Sequence, residues 1–158
     1  MPKTYREGPI GALMDEYERA TKDLQKLLRS IDAETYTRVL DTKTKDKDCQ
    51  SIQTIMNHVV RAGFGYSNYI RIQFKEDFIE RKMHYNVATP KLAIAELNNV
   101  LKYTEENLSN KWKISWRKIQ ANIILTNWGQ QFDMDQLLEH AIVHILRHRR
   151  QIEKLLNK

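Results

Sequence analysis

Apolar side chains recur at steps of three and four residues over long stretches of this chain. That spacing restricts the backbone to helices, because residues three or four apart share one face of an α-helix. Ile10, Leu13, Met14, Tyr17, Leu24, Leu27, Leu28 and Ile31 form the first stripe. A second segment begins near Ser51 and ends near Phe74, with Ile52, Ile55, Met56, Val59, Ala62, Tyr66, Tyr69 and Ile70 facing inward. Gly63 and Gly65 lie within it and would weaken an isolated helix by up to about 1 kcal/mol each, so close packing against a neighbour is expected there. A third helix has Thr89 to cap its free amides and Pro90 at its first position, and runs to about Leu108. The fourth, from about Met134 to Leu156, has the best-marked start: Asp133 with Gln136 makes a capping box, and Phe132 can staple against Leu137.

Four long helices without repeats predict an all-α fold, an antiparallel four-helix bundle with a long crossover connection, in a single domain spanning 1–158. The run "DTKTKDKD" (Asp41 to Asp48) reads as an exposed loop. Residues 110–132 read as a long connection that can hold a short strand. No apolar run approaches the roughly 18 residues of a membrane span, and the N-terminus lacks a secretory signal, so a soluble, cytoplasmic protein with no membrane partner is expected. The net charge of +6 comes from 26 Lys and Arg against 20 Asp and Glu, interleaved as on a solvated helix face. Cys49 is the only cysteine, which excludes an intrachain disulfide, a thiolate zinc site and an iron–sulfur cluster; any metal must be held by nitrogen or oxygen.

Three of the five histidines fall in one segment, "EHAIVHILRHRRQIEKLL", at intervals of four. The inner face of that helix is set by Leu137, Leu138, Ala141, Ile145, Ile152 and Leu155. His148 falls inside this sector, His144 on its edge, and His140 further out toward solvent. Histidines four apart can give a ring nitrogen each to one metal ion. His58, on the edge of the second helix's stripe, can supply a third from a facing helix. Ordinary histidines, hydrogen-bonded or solvent-facing on a basic helix end, account for the His144 and His148 pair equally well. His84 sits in a charged loop and has no such placement.

With "NHVV" around His58 and "HILRHRRQ" from His144 to Gln151, the chain resembles the DinB-like (YfiT-type) metalloenzymes over nearly its whole length, whose terminal-helix signature is H-x-x-x-H-R-G-Q. The resemblance implies that His58, His144 and His148 bind a divalent metal ion, zinc or nickel, with remaining positions open to water or substrate. It does not implicate His140. Arg150 replaces the family's glycine, while Gln151 keeps its glutamine and is a candidate for holding a ligand or a bound water. Relatives with known activity transfer low-molecular-weight thiols or isomerise substrates with them, and homodimers are usual among them.

The leading expectation is therefore a metal-dependent enzyme of thiol S-transferase or hydrolase type acting on a small-molecule substrate. A non-catalytic metal-stabilised or metal-sensing bundle is the alternative. Nucleic-acid binding through "RHRRQIEK" and "KWKISWRK", with Trp112, Trp116 and Arg117, ranks last, since such tryptophans more often line a core or pocket, and Trp128 is expected to pack near the start of the fourth helix. Glu139 and Asp135 lie off the inner face, so no general acid or base is named.

Overall fold

Side-chain caps fix where the long helices begin. In the computed structural model, which describes residues 4–157, the order is α1 (Gly8–Arg29), α2 (Ala33–Thr37), a 3-10 turn (Lys47–Cys49), α3 (Ile52–Gln73), α4 (Pro90–Leu108), α5 (Trp116–Gln120), β1 (Ile124–Leu125), β2 (Gln131–Phe132) and α6 (Met134–Leu156). The ends of the expected 1–158 domain, residues 1–3 and 158, lie outside the described residues. Asp133 accepts the Gln136 amide at 2.9 Å while its own amide donates to Gln136 Oε1 at 3.1 Å, the capping box expected from the sequence. Ser51 and Thr54 form a second box that starts α3. Thr89 accepts the Leu92 amide at 3.2 Å and starts α4.

The fold is all-α apart from one hairpin, in which Ile124 pairs with Phe132 and Leu125 with Gln131. The long connection after α4 thus contains a short helix and a two-stranded ribbon. Thr126 and Gln130 close its turn, with Gly129 at positive φ. Of the tryptophans, Trp112 packs partly buried on the core and Trp116 is exposed.

α1 packs on α6 and α4, and α3 packs on α4 and α6, so the second and last long helices are neighbours. Leu24, Leu28, Ile55, Met56, Leu137 and Ile152 are buried at their centre. Each such side chain contributes about 1.5–3 kcal/mol relative to exposure. The two glycines of α3 have different reasons to be small. A Cβ on Gly63 would stand 2.6 Å from Val100 Cγ1, so this residue sets the close approach of α3 and α4. A Cβ on Gly65 would instead meet Arg81, at 3.1 Å from Nη1.

Beyond the end of α4, Lys111 is only 4% exposed, yet it is fully partnered. Its ammonium donates to Glu76 Oε1 at 2.6 Å, the Asn107 carbonyl at 2.6 Å and Asn110 Oδ1 at 2.9 Å, tying the chain that follows α3 to the chain that follows α4. Among the described residues, no helix is long and apolar enough to cross a membrane.

Candidate metal centre

Two elements bring three imidazoles together. The Ser51 cap sets the phase of α3, which places His58 on the side facing α6, and the four-residue spacing stacks His144 and His148 on successive turns of α6. His144 Nε2 lies 3.0 Å from His58 Nε2 and 3.2 Å from His148 Nε2. One nitrogen from each ring falls within 4.8 Å of the others, and these three residues are the metal-compatible cluster among the described residues. Zinc–imidazole bonds of about 2.0–2.1 Å put adjacent nitrogens of a tetrahedral site about 3.3 Å apart, close to the spacing found.

Ring protonation explains why hydrogen bonds alone do not account for the cluster. His148 Nδ1 lies 2.9 Å from Gln151 Oε1, which can only accept, so Nδ1 carries the proton and Nε2 presents a lone pair. His58 Nδ1 is buried without a hydrogen-bond partner and faces Asp48 Oδ2 at 3.5 Å. That separation is too long for a formed hydrogen bond, but the carboxylate's field favours a proton on Nδ1 and again leaves Nε2 as a lone pair. His144 Nε2 stands between these two and holds one proton at most, which can satisfy only one of them. A shared cation satisfies all three.

Electrostatics favour neutral rings. Burial, reinforced by His148, His58, His140 and Arg147, pushes His144 down to about 2. Burial also lowers His58, against the attraction of Asp48, and lowers His148, against the hydrogen bond it donates to Gln151. Neutral imidazole is the metal-binding form.

Groups around the rings hold them in place. Gln151 is hydrogen-bonded to His148, and the Cys49 thiol, which burial pushes up, donates to Asp46 Oδ2 at 3.4 Å. Asp48 is gripped by Arg61 at 2.5 Å, which fixes its carboxylate opposite His58. The sequence reading missed Asp48 by treating Asp41 to Asp48 as exposed loop. Its last residues form the 3-10 turn on α3, where Asp48 and Cys49 are half-buried. One charged residue in a charged run carries no spacing signal that could have singled it out.

A cavity of about 520 Å³ opens beside the cluster, with His58 in its wall. His140, expected to point toward solvent, also lines it. The hairpin folds over this residue, so that its ring lies 6.0 Å from Trp128 and 5.3 Å from Phe132, and 5.4 Å from Tyr66 of α3. It stays 6.5 Å from His144, ring centre to ring centre, outside the cluster. Trp128 packs against Phe132 at the start of α6, as expected, and also closes one side of the cavity. His84 is exposed and is not among the residues that line this cavity.

The DinB family model matches residues 1–158, the whole sequence. The chain belongs to the DinB family. No curated protein and no solved structure matches it. Membership in DinB, together with the three convergent histidines, is compatible with a divalent metal site.

Proposed function

We propose that this DinB protein binds a divalent metal ion, zinc or nickel, through His58, His144 and His148, and acts as a metal-dependent enzyme of the thiol S-transferase or hydrolase type. The observation that carries this reading is the convergence of three Nε2 atoms, with His144 Nε2 at 3.0 and 3.2 Å from the other two. Three neutral imidazoles leave a bound ion its double charge, which acidifies a water or thiol and polarises a substrate oxygen.

The remaining roles belong to the protein's own residues. Gln151 orients His148, and Asp48, held by Arg61, orients His58. Burial pushes Tyr66 up to about 12, so the cavity keeps a neutral phenol at physiological pH. Trp128 and the Tyr66 and Tyr69 rings restrict water around a small-molecule substrate such as a low-molecular-weight thiol. The whole site belongs to one structural unit, and the same proposal includes a cytoplasmic homodimer, which sedimentation of the purified protein checks.

Elemental analysis of protein purified without a histidine tag tests the metal. Stoichiometric zinc or nickel is expected. His144→Ala and His148→Ala should lose it, whereas His140→Ala should keep it. A wild-type protein that neither contains nor takes up a divalent ion overturns the proposal. One observation favours a second reading, a purely structural ion: the three donors join α3 to α6. Metal-dependent melting with no turnover in a screen of cellular thiols would select that reading.

A further inference from the structure

The floor of the cavity beside the histidines is made by the α3 face that carries His58, Ala62 and Gly65. Gly65 follows His58 by seven residues, two helical turns or about 10 Å along the axis, on the same side of the helix. Ala62 between them adds only a methyl group. The result is a shallow trough with the histidine cluster at one end.

Arg81 occupies the other end. It comes from the chain between α3 and α4, and its guanidinium lies against the α3 backbone at Gly65, where even a Cβ would stand 3.1 Å from Nη1. Arg81 is engaged in no hydrogen bond and no ion pair among the described residues. Arg61, the other cation of the lining, differs: its charge is met by Asp48 at 2.5 Å. No carboxylate lines the cavity among the described residues. Trp128 and Tyr69 flank the trough with apolar surface. The site therefore offers an unmatched planar cation, an apolar middle, and the histidines about 10 Å away.

We infer that the cavity binds an organic anion whose carboxylate or phosphate oxygens pair with Arg81, whose apolar body lies on Ala62 and Gly65 beneath Trp128, and whose opposite end reaches the histidine cluster. The guanidinium fork matches either oxyanion, and such charge-assisted pairs are about twice as strong as neutral hydrogen bonds. Arg81 is a specificity-determining residue. This inference rests on the histidine cluster being the reacting end.

The test titrates 4-phenylbutanoate, its neutral amide and 2-phenylethyl phosphate into the full-length protein after removal of metal, read by calorimetry and tryptophan fluorescence, so that coordination of the anion by an ion is not what is measured. The acid is expected to bind about tenfold more tightly than the amide. Arg81→Gln should bring the acid down to the amide and leave the amide unchanged, and Arg81→Lys should recover part of the preference. The tighter of the two anions identifies the natural oxyanion. Gly65→Val, which displaces the guanidinium and fills the trough, should weaken acid and amide alike. Equal binding of acid and amide by the wild type, or a preference that survives Arg81→Gln, overturns the inference. Metal content measured on the same batches before metal is removed separates the two readings: protein that holds metal but shows no acid preference overturns this one alone. Protein that neither contains nor takes up a divalent ion but shows an Arg81-dependent preference leaves this binding assignment standing and overturns the metal site.

Discussion

Lys111 and His144 are both basic side chains taken largely out of water, and their surroundings could hardly differ more. Around Lys111 the ammonium donates to a carboxylate, a carbonyl and an amide oxygen, so its three hydrogens are all used by the chain itself. Around His144 the neighbours are two more imidazole nitrogens, and burial with those neighbours drives its pKa down to about 2. The first cluster is complete as folded. The second places lone pairs opposite lone pairs, an arrangement that burial makes costly unless a cation from outside the chain is shared. One region is a structural tie, and the other, on the reading proposed above, is a receptor for a cation.

A crossed pair of substitutions tests this contrast most severely. His144→Ala should remove stoichiometric metal entirely, read by elemental analysis, while raising or barely changing the stability of the metal-free protein. Lys111→Met should do the reverse, lowering unfolding free energy by about 2–4 kcal/mol in urea melts while leaving metal content intact. If Lys111→Met also empties the site, the two regions are not independent.

Next in size are the orienting groups. Asp48→Asn and Gln151→Ala should each weaken metal affinity about 10–100-fold, measured by competition with a chelating dye, because a histidine ligand loses the partner that fixes its proton and ring angle.

A smaller effect appears with pH. Histidines whose folded pKa is depressed bind fewer protons in the folded state than when unfolded, so stability rises with pH across that window. The metal-free protein should keep its full stability above about pH 6.5, the unfolded histidine value, and lose it progressively as the pH falls below that point. Melting temperatures between pH 4 and 8 should show this slope, and His144→Ala should flatten it. A wild-type protein no less stable at pH 5 than at pH 8 would remove the argument from burial.

The smallest contrast lies within α3. Gly63→Ala should destabilise by about 1–3 kcal/mol, since its methyl group collides with Val100 in the core. Gly65→Ala should stabilise by up to about 1 kcal/mol through helix propensity, because only the end of the exposed Arg81 side chain has to move. Equal effects at the two glycines would erase the distinction between a packing glycine and a cavity glycine.

What the sequence disclosed follows from the range of each interaction. The start of α6 was legible because Asp133 and Gln136 act within one turn, and the His144 and His148 pair was legible because helical spacing is local. His58 could be proposed as their partner because it borders the apolar stripe of α3. The surroundings of His140 were hidden, since Trp128 and Phe132 reach it through a hairpin only two residues long on each side, within a segment that has no periodicity. Asp48 was hidden for a related reason: its partners His58 and Arg61 lie beyond a 3-10 turn, and the charged run around it looks alike at every position. Gly65 was read as a packing residue, and only the course of the chain between α3 and α4, which no local rule fixes, reveals that it faces a cavity.

His58 and His144 are 86 residues apart along the chain, whereas His144 and His148 are four apart. If the proposed ion binds, the final helix would be a two-toothed chelator by itself, able to catch it before the rest of the molecule has assembled, and the third tooth would close only when distant segments dock. Capture of the ion would then act as a reversible clasp across more than half the polypeptide. By mass action, resistance to unfolding would rise and fall with the free concentration of that ion in the surroundings.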